Sequence, residues 1–80
     1  MVFVVQPCSK KGAFEVILKK KISLNSVKTE GFEILARTDY VLIMQKGSVK
    51  VSVYPSGKIM IFGVSGEGEV EGLVKSILPI

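Results

Sequence analysis

Histidine and tryptophan are absent from these 80 residues, cysteine occurs once, proline three times, and aromatic side chains make up 8%. Each shortage removes a class of chemistry. Without His there is no Ser-His or Cys-His nucleophile arrangement, and Cys8 has only Lys10 and Lys11 nearby to stabilise a thiolate. A lone Cys8 closes no internal disulfide, which fits a reducing compartment. No apolar run approaches the roughly 20 residues of a membrane helix, and Met1 to Val5 is too short for a signal-peptide core. The expectation is therefore a cytoplasmic, non-enzymatic chain with no membrane span, metal or cofactor. The acidic residues Glu67, Glu69 and Glu71 alternate, so on a helix they splay apart rather than converge on a metal.

What remains is 48% hydrophobic and 22% charged, with a formal net charge of +4. That describes one globular domain spanning residues 1–80, with room for a single two-layer core. The charge admits an anionic partner, although solubility alone explains it equally well. There is no internal repeat, low-complexity tract or linker.

The most informative stretch is Ser48 to Val64. Val49, Val51 and Val53 alternate with Ser48, Lys50 and Ser52, and Ile59 and Ile61 alternate with Lys58, Met60 and Phe62. Between them Tyr54-Pro55-Ser56-Gly57 carries turn chemistry, Pro55 presetting φ and Gly57 accepting a positive φ. The pattern predicts a hairpin whose odd-numbered aliphatic face seeks a helix. Its other face gathers Lys50, Tyr54, Lys58, Met60 and Phe62, a mixture too apolar for ordinary exposure and too charged for a sealed core. Ser65 to Ile80 supplies the helix, with Val70, Leu73, Val74, Ile77 and Leu78 on one stripe, Ser65 as N-cap and Pro79 as the stop. Gly72 is expected to let that helix approach the sheet closely.

Upstream, Val2 to Gln6 reads as a strand central in its sheet, because the run is apolar throughout. For Lys10 to Lys21 the better reading is a helix capped by Ser9, with Phe14, Ile17, Leu18 and Lys21 on one side. The β-branched Val16 and Ile17 leave a strand as the alternative. Ile22 to Gly31 is a connection, Phe32 to Arg37 a strand, and Tyr40 to Lys46 another, with turns at Thr38-Asp39 and Lys46-Gly47. The predicted fold is α+β, in the order β-α-β-β-β-β-α: a curved antiparallel five-stranded sheet with two helices on one face and the other face open.

The run Val53-Tyr54-Pro55-Ser56-Gly57-Lys58-Ile59-Met60-Ile61-Phe62-Gly63, followed by a helix that opens with acidic residues and ends Ile77-Leu78-Pro79-Ile80, resembles one half-repeat of the TATA-box-binding protein family. The match covers residues 40 to 80, and the predicted element order agrees with it. In that family two half-repeats form a saddle whose sheet lies in the DNA minor groove and kinks it with inserted Phe side chains. The resemblance implies a homodimer, since this chain has one half, and it implies an open face that contacts DNA or RNA. Tyr54 stands where the family has a wedge Phe, and Lys58 matches the motif Lys. Arg37 falls near the second wedge, and Phe62 replaces the family's Thr before Gly63, so kinking of a TATA box is not implied.

Two readings of the open face follow. In one, Arg37, Lys50, Tyr54, Lys58, Met60 and Phe62 form a nucleic-acid interface, with Lys10, Lys11, Lys19, Lys20 and Lys21 as further phosphate contacts. In the other, the same face docks a protein partner or a second copy, and the second lysine cluster is a solvated helix face.

Overall fold

The computed structural model describes residues 3–7 and 12–78. Their elements are β1 (Phe3–Pro7), β2 (Ala13–Leu18), a short 3-10 turn (Leu24–Ser26), β3 (Glu33–Arg37), β4 (Leu42–Lys46), β5 (Val49–Val53), β6 (Lys58–Phe62) and α1 (Glu67–Ile77). The strands form one antiparallel sheet in the order β1-β2-β6-β5-β4-β3. The fold is α+β, with a β1–β2 hairpin laid beside a β3-to-β6 meander and a helix across one face.

Local chemistry sets the turns. Lys46 pairs with Val49, so Gly47-Ser48 is a two-residue loop; Gly47 has φ +62 and among the described residues none other than glycine has positive φ, the pattern of a II′ hairpin. The β5–β6 loop is longer. Tyr54 N–H donates to the Lys58 carbonyl at 2.8 Å, Gly57 N–H donates to the Tyr54 carbonyl at 3.1 Å, and Gly57 at φ +102 closes the reversal. Gly57 has a second duty. Leu18 N–H donates to its carbonyl at 2.8 Å, and a Cβ built at Gly57 would lie 2.5 Å from the Lys20 carbonyl oxygen.

Residues 13–18 are a strand, not the expected helix, and the reason is cross-strand pairing. Phe14 opposes Ile61 and Val16 opposes Ile59, so a period of two places Phe14, Val16 and Leu18 on the aliphatic face. Val16 is fully buried and Leu18 nearly so, while Ile17 between them is exposed. The helical grouping of Phe14, Ile17, Leu18 and Lys21 loses to that alternation, and Lys19 and Lys20 lie in a bend. The sheet therefore has six strands and, among the described residues, one α-helix. This also moves β1 to the edge, correcting its expected central place: it pairs with β2 alone, and Val4 is 42% exposed.

The core is the layer between the sheet's inner face and α1. Val16, Leu42, Met44, Val51, Val53, Ile59 and Ile61 have no exposed surface, and neither do Val70 and Val74 of the helix. Ile77, Leu78, Val27 and Val64 complete the cluster. Burying one such aliphatic side chain stabilises by about 1.5–3 kcal/mol, which offsets the ordering of a helix that contains Gly68 and Gly72. The helix is tied at its end, where Lys28 N–H donates to the Ile77 carbonyl at 2.7 Å.

Three expectations about α1 change. Its N-cap is Gly66, not Ser65; Ser65 instead donates its N–H and hydroxyl to a Glu69 carboxylate oxygen at 3.2 and 2.7 Å. Gly72 does not mediate close approach, because a Cβ there meets nothing within 4 Å and the residue is exposed. The helix ends at Ile77, and Pro79, its expected stop, lies outside the described residues.

The two glycines should respond oppositely. Gly72→Ala relieves a mid-helix glycine without a clash and should raise unfolding free energy by about 1 kcal/mol in a denaturant titration. Gly57→Ala forces a side chain onto a positive φ and against the Lys20 carbonyl, and should lower it by about 1–3 kcal/mol.

Candidate functional site

The sheet face opposite α1 is uncovered among the described residues, and strand register defines its rows. One row runs Glu33, Gln45, Lys50, Phe62, Ala13. The next runs Ala36, Ile43, Ser52, Met60, Glu15, Gln6. A third joins Lys58, Ile17 and Val4, with Tyr54 beyond the strand end, bonded through its backbone to Lys58.

The middle of this face is apolar. Ala36, Ile43, Met60 and Phe62 are half-buried, and Ile17 and Val4 are exposed at 39% and 42%. Ser52, between Ile43 and Met60 in its row, and Ala13, beside Phe62, are small and buried. Charge on the face cancels, Lys50 and Lys58 against Glu15 and Glu33. The Lys58 ammonium meets the Glu15 carboxylate at 2.9 Å. An exposed pair of this kind is worth about 0–1 kcal/mol, but it leaves the neighbouring apolar row free of an isolated charge.

The expected site residues are thus brought together in part. Lys50, Lys58, Met60 and Phe62 share the open face, with Tyr54 at its border. Arg37 does not join them, because it opposes Leu42, whose side chain belongs to the helix-covered core. A register shift between Ile34 and Ala36 reverses the alternation at that edge. Sequence reasoning missed Val4, Ile17, Ile43 and Ser52; alternation in Phe14-Val16-Leu18 was the available signal for Ile17. Lys19, Lys20 and Lys21 are exposed, but they follow a strand and do not line a helix. Cys8, Lys10 and Lys11, and the Ser9 cap, lie outside the described residues.

A second opening lies on the helix side. Phe32, Lys46, Val49, Glu69, Gly72, Leu73 and Ser76 line a hollow of about 430 Å³, and the Lys46 ammonium stands 5.8 Å from the centre of the Phe32 ring. Glu69 forms one wall. The Ser65 hydroxyl, and then its N–H, hold the Glu69 carboxyl below its ordinary pKa. Among the described residues no group of three or more His, Cys, Asp or Glu is placed to hold a metal, and no helix is long and apolar enough to cross a membrane.

No protein-family model, curated protein or solved structure matches this chain.

Because the folded Glu69 pKa is depressed, its stabilising contribution is present above the ordinary glutamate range and fades as pH falls through the folded value. Ser65→Ala removes the larger of the two donors. An NMR titration of the Glu69 carboxyl should then show its pKa moving up toward the usual range; an unmoved value would mean that the hydroxyl contributes nothing.

Proposed function

We propose that this protein is a non-enzymatic interaction module whose open sheet face docks a protein surface, either another chain or a second copy. The observation that carries the reading is the make-up of the face: half-buried Ile43, Met60 and Phe62 with Ile17 beside them, among charges that cancel. Apolar sheet left without a cover is the usual composition of an interface core, whose rim is polar. A nucleic-acid reader of the same face would need an excess of cations toward the phosphates. Here Lys58 is engaged by Glu15, and Arg37 faces the other way.

The resemblance to a TATA-box-binding half-repeat rests on the hairpin and the closing helix, since a strand replaces the helix expected in the element order. What it contributes to the proposal is the idea of an open, curved sheet as the working surface. The chemistry of that surface favours protein over DNA.

Site-specific photocrosslinking tests it. A photoreactive side chain at Met60 should give one discrete protein adduct in a cell extract, while the same group at Glu71, on the exposed side of α1, should not. Phe62→Ser and Ile43→Ser should each reduce the Met60 adduct at least about tenfold, the loss expected when a residue near the centre of an interface is truncated. Equal labelling from both positions, or an adduct indifferent to Phe62 and Ile43, would remove the proposal.

A further inference from the structure

Lys19, Lys20 and Lys21 are exposed and consecutive, and among the described residues none of them is in an ion pair. Three like charges in sequence repel one another unless something anionic is near, and among the described residues no carboxylate is within ion-pair distance of them. The backbone under them is nonetheless fixed. Leu18 N–H donates to the Gly57 carbonyl at 2.8 Å, and Ile22 N–H donates to the Pro55 carbonyl at 2.9 Å. Between these anchors the Lys20 carbonyl packs on Gly57, where a Cβ would lie 2.5 Å away. The three lysines are therefore carried on a strap clamped across the tip of the β5–β6 hairpin.

Topology adds to the charge at this end of the molecule. β2 and β3 end here, at Leu18 and Arg37, and β6 begins here, at Lys58, whose charge is balanced by Glu15. Among the described residues the acids at the other end include Glu67 and Glu69 of the first helical turn and Glu33 at the start of β3. Glu15, on β2 itself, is engaged by Lys58, and Asp39, in the β3–β4 turn, lies at this end but with β4, β5 and β6 between β3 and β2.

We infer that the Lys19–Lys21 strap is a binding site for the phosphodiester backbone of a nucleic acid, separate from the open face and independent of what that face docks. Three consecutive lysines on a clamped segment suit a backbone with regularly spaced anions, because the clamp has already fixed their main chain. An acidic membrane surface is the weaker match. Lipid-reading basic segments carry about 4–8 cations, and here the strap has three with no exposed large apolar side chain among residues 19–22.

Fluorescence anisotropy with labelled oligothymidylate and with a labelled mixed-sequence duplex, over a salt series, provides the test. Three phosphate contacts give a log–log salt slope of about −2 for the single strand and about −3 for the duplex, so tenfold more salt should weaken binding roughly 100- to 1,000-fold. The combined variant Lys19→Gln, Lys20→Gln, Lys21→Gln should flatten that slope to near zero. A control removing the same charge elsewhere, Lys28→Gln, Lys50→Gln, Lys75→Gln, should keep most of it. The inference is overturned if neither probe binds at low salt, or if the control flattens the slope as much as the strap variant. It is equally overturned if the strap is needed only for phosphatidylserine vesicles or for polyglutamate. The Met60 crosslinking result is unaffected by the strap variant, so failure here and failure of the face proposal are told apart.

Discussion

Everything in this fold follows from the aliphatic face of six strands having to be covered by too little helix. Six strands at about 4.8 Å spacing span roughly 24 Å between the outermost axes. An eleven-residue helix is about 16 Å long and about 10 Å across. α1 puts Val70, Val74 and Ile77 into the same core as Val51, Val53, Ile59 and Ile61 and meets β1 at one edge, but is too short to reach both edges. The chain closes part of the gap with the segment after β2, where Val27 is buried and Ile22 and Leu24 pack against the core. It leaves the rest open at Phe32, and the hollow between Phe32, Val49 and Leu73 is the residue of that mismatch.

The same shortage explains the clamp at the hairpin tip. A segment that must leave β2 and cross to the helix side needs an anchor before it turns, and Gly57 provides one by having no side chain to block the Lys20 carbonyl. The anchor fixes main chain, and side-chain identity at residues 19–21 is then unconstrained by packing. That these positions are all lysine is accordingly a fact about the surface and not about the core.

How far the sequence was legible depends on how local each signal is. The β5–β6 hairpin, its Pro55–Gly57 turn and the stripe Val70, Val74, Ile77 were readable because period-two and period-3.6 patterns sit beside their own turn and their own helix. Lys10 to Lys21 was misread because Phe14, Ile17, Leu18 and Lys21 fit one helical side while Phe14, Val16 and Leu18 fit a strand. What decides between them is Ile59 and Ile61, more than forty positions away. The central placing of β1 has a separate cause, an apolar run that reads the same at an edge as in the middle, and a helical reading of residues 10–21 leaves Ile17 off the open face. Arg37 failed for a different reason, since a register shift at Ile34/Ala36 leaves no trace in alternation.

The edges of the sheet bear on which surface is free to bind. An antiparallel sheet can recruit a partner by adding a strand at an edge, using backbone groups, or by docking a face, using side chains. Here both edges discourage the first route. β1 ends in Pro7, which has no N–H to donate, and β3 carries the irregularity at Ile34/Ala36, with charged residues Glu33 and Arg37 at its two ends. Exposed Ile34 and Leu35 would otherwise make β3 an adhesive edge. The open face has no comparable obstruction. Its charges balance, its backbone is satisfied by neighbouring strands, and its central side chains are already ordered by cross-strand packing, so docking there orders few new groups. A partner that reads side chains therefore meets less resistance than one that reads backbone, and recognition falls on Ile43, Met60 and Phe62 rather than on either rim of the sheet.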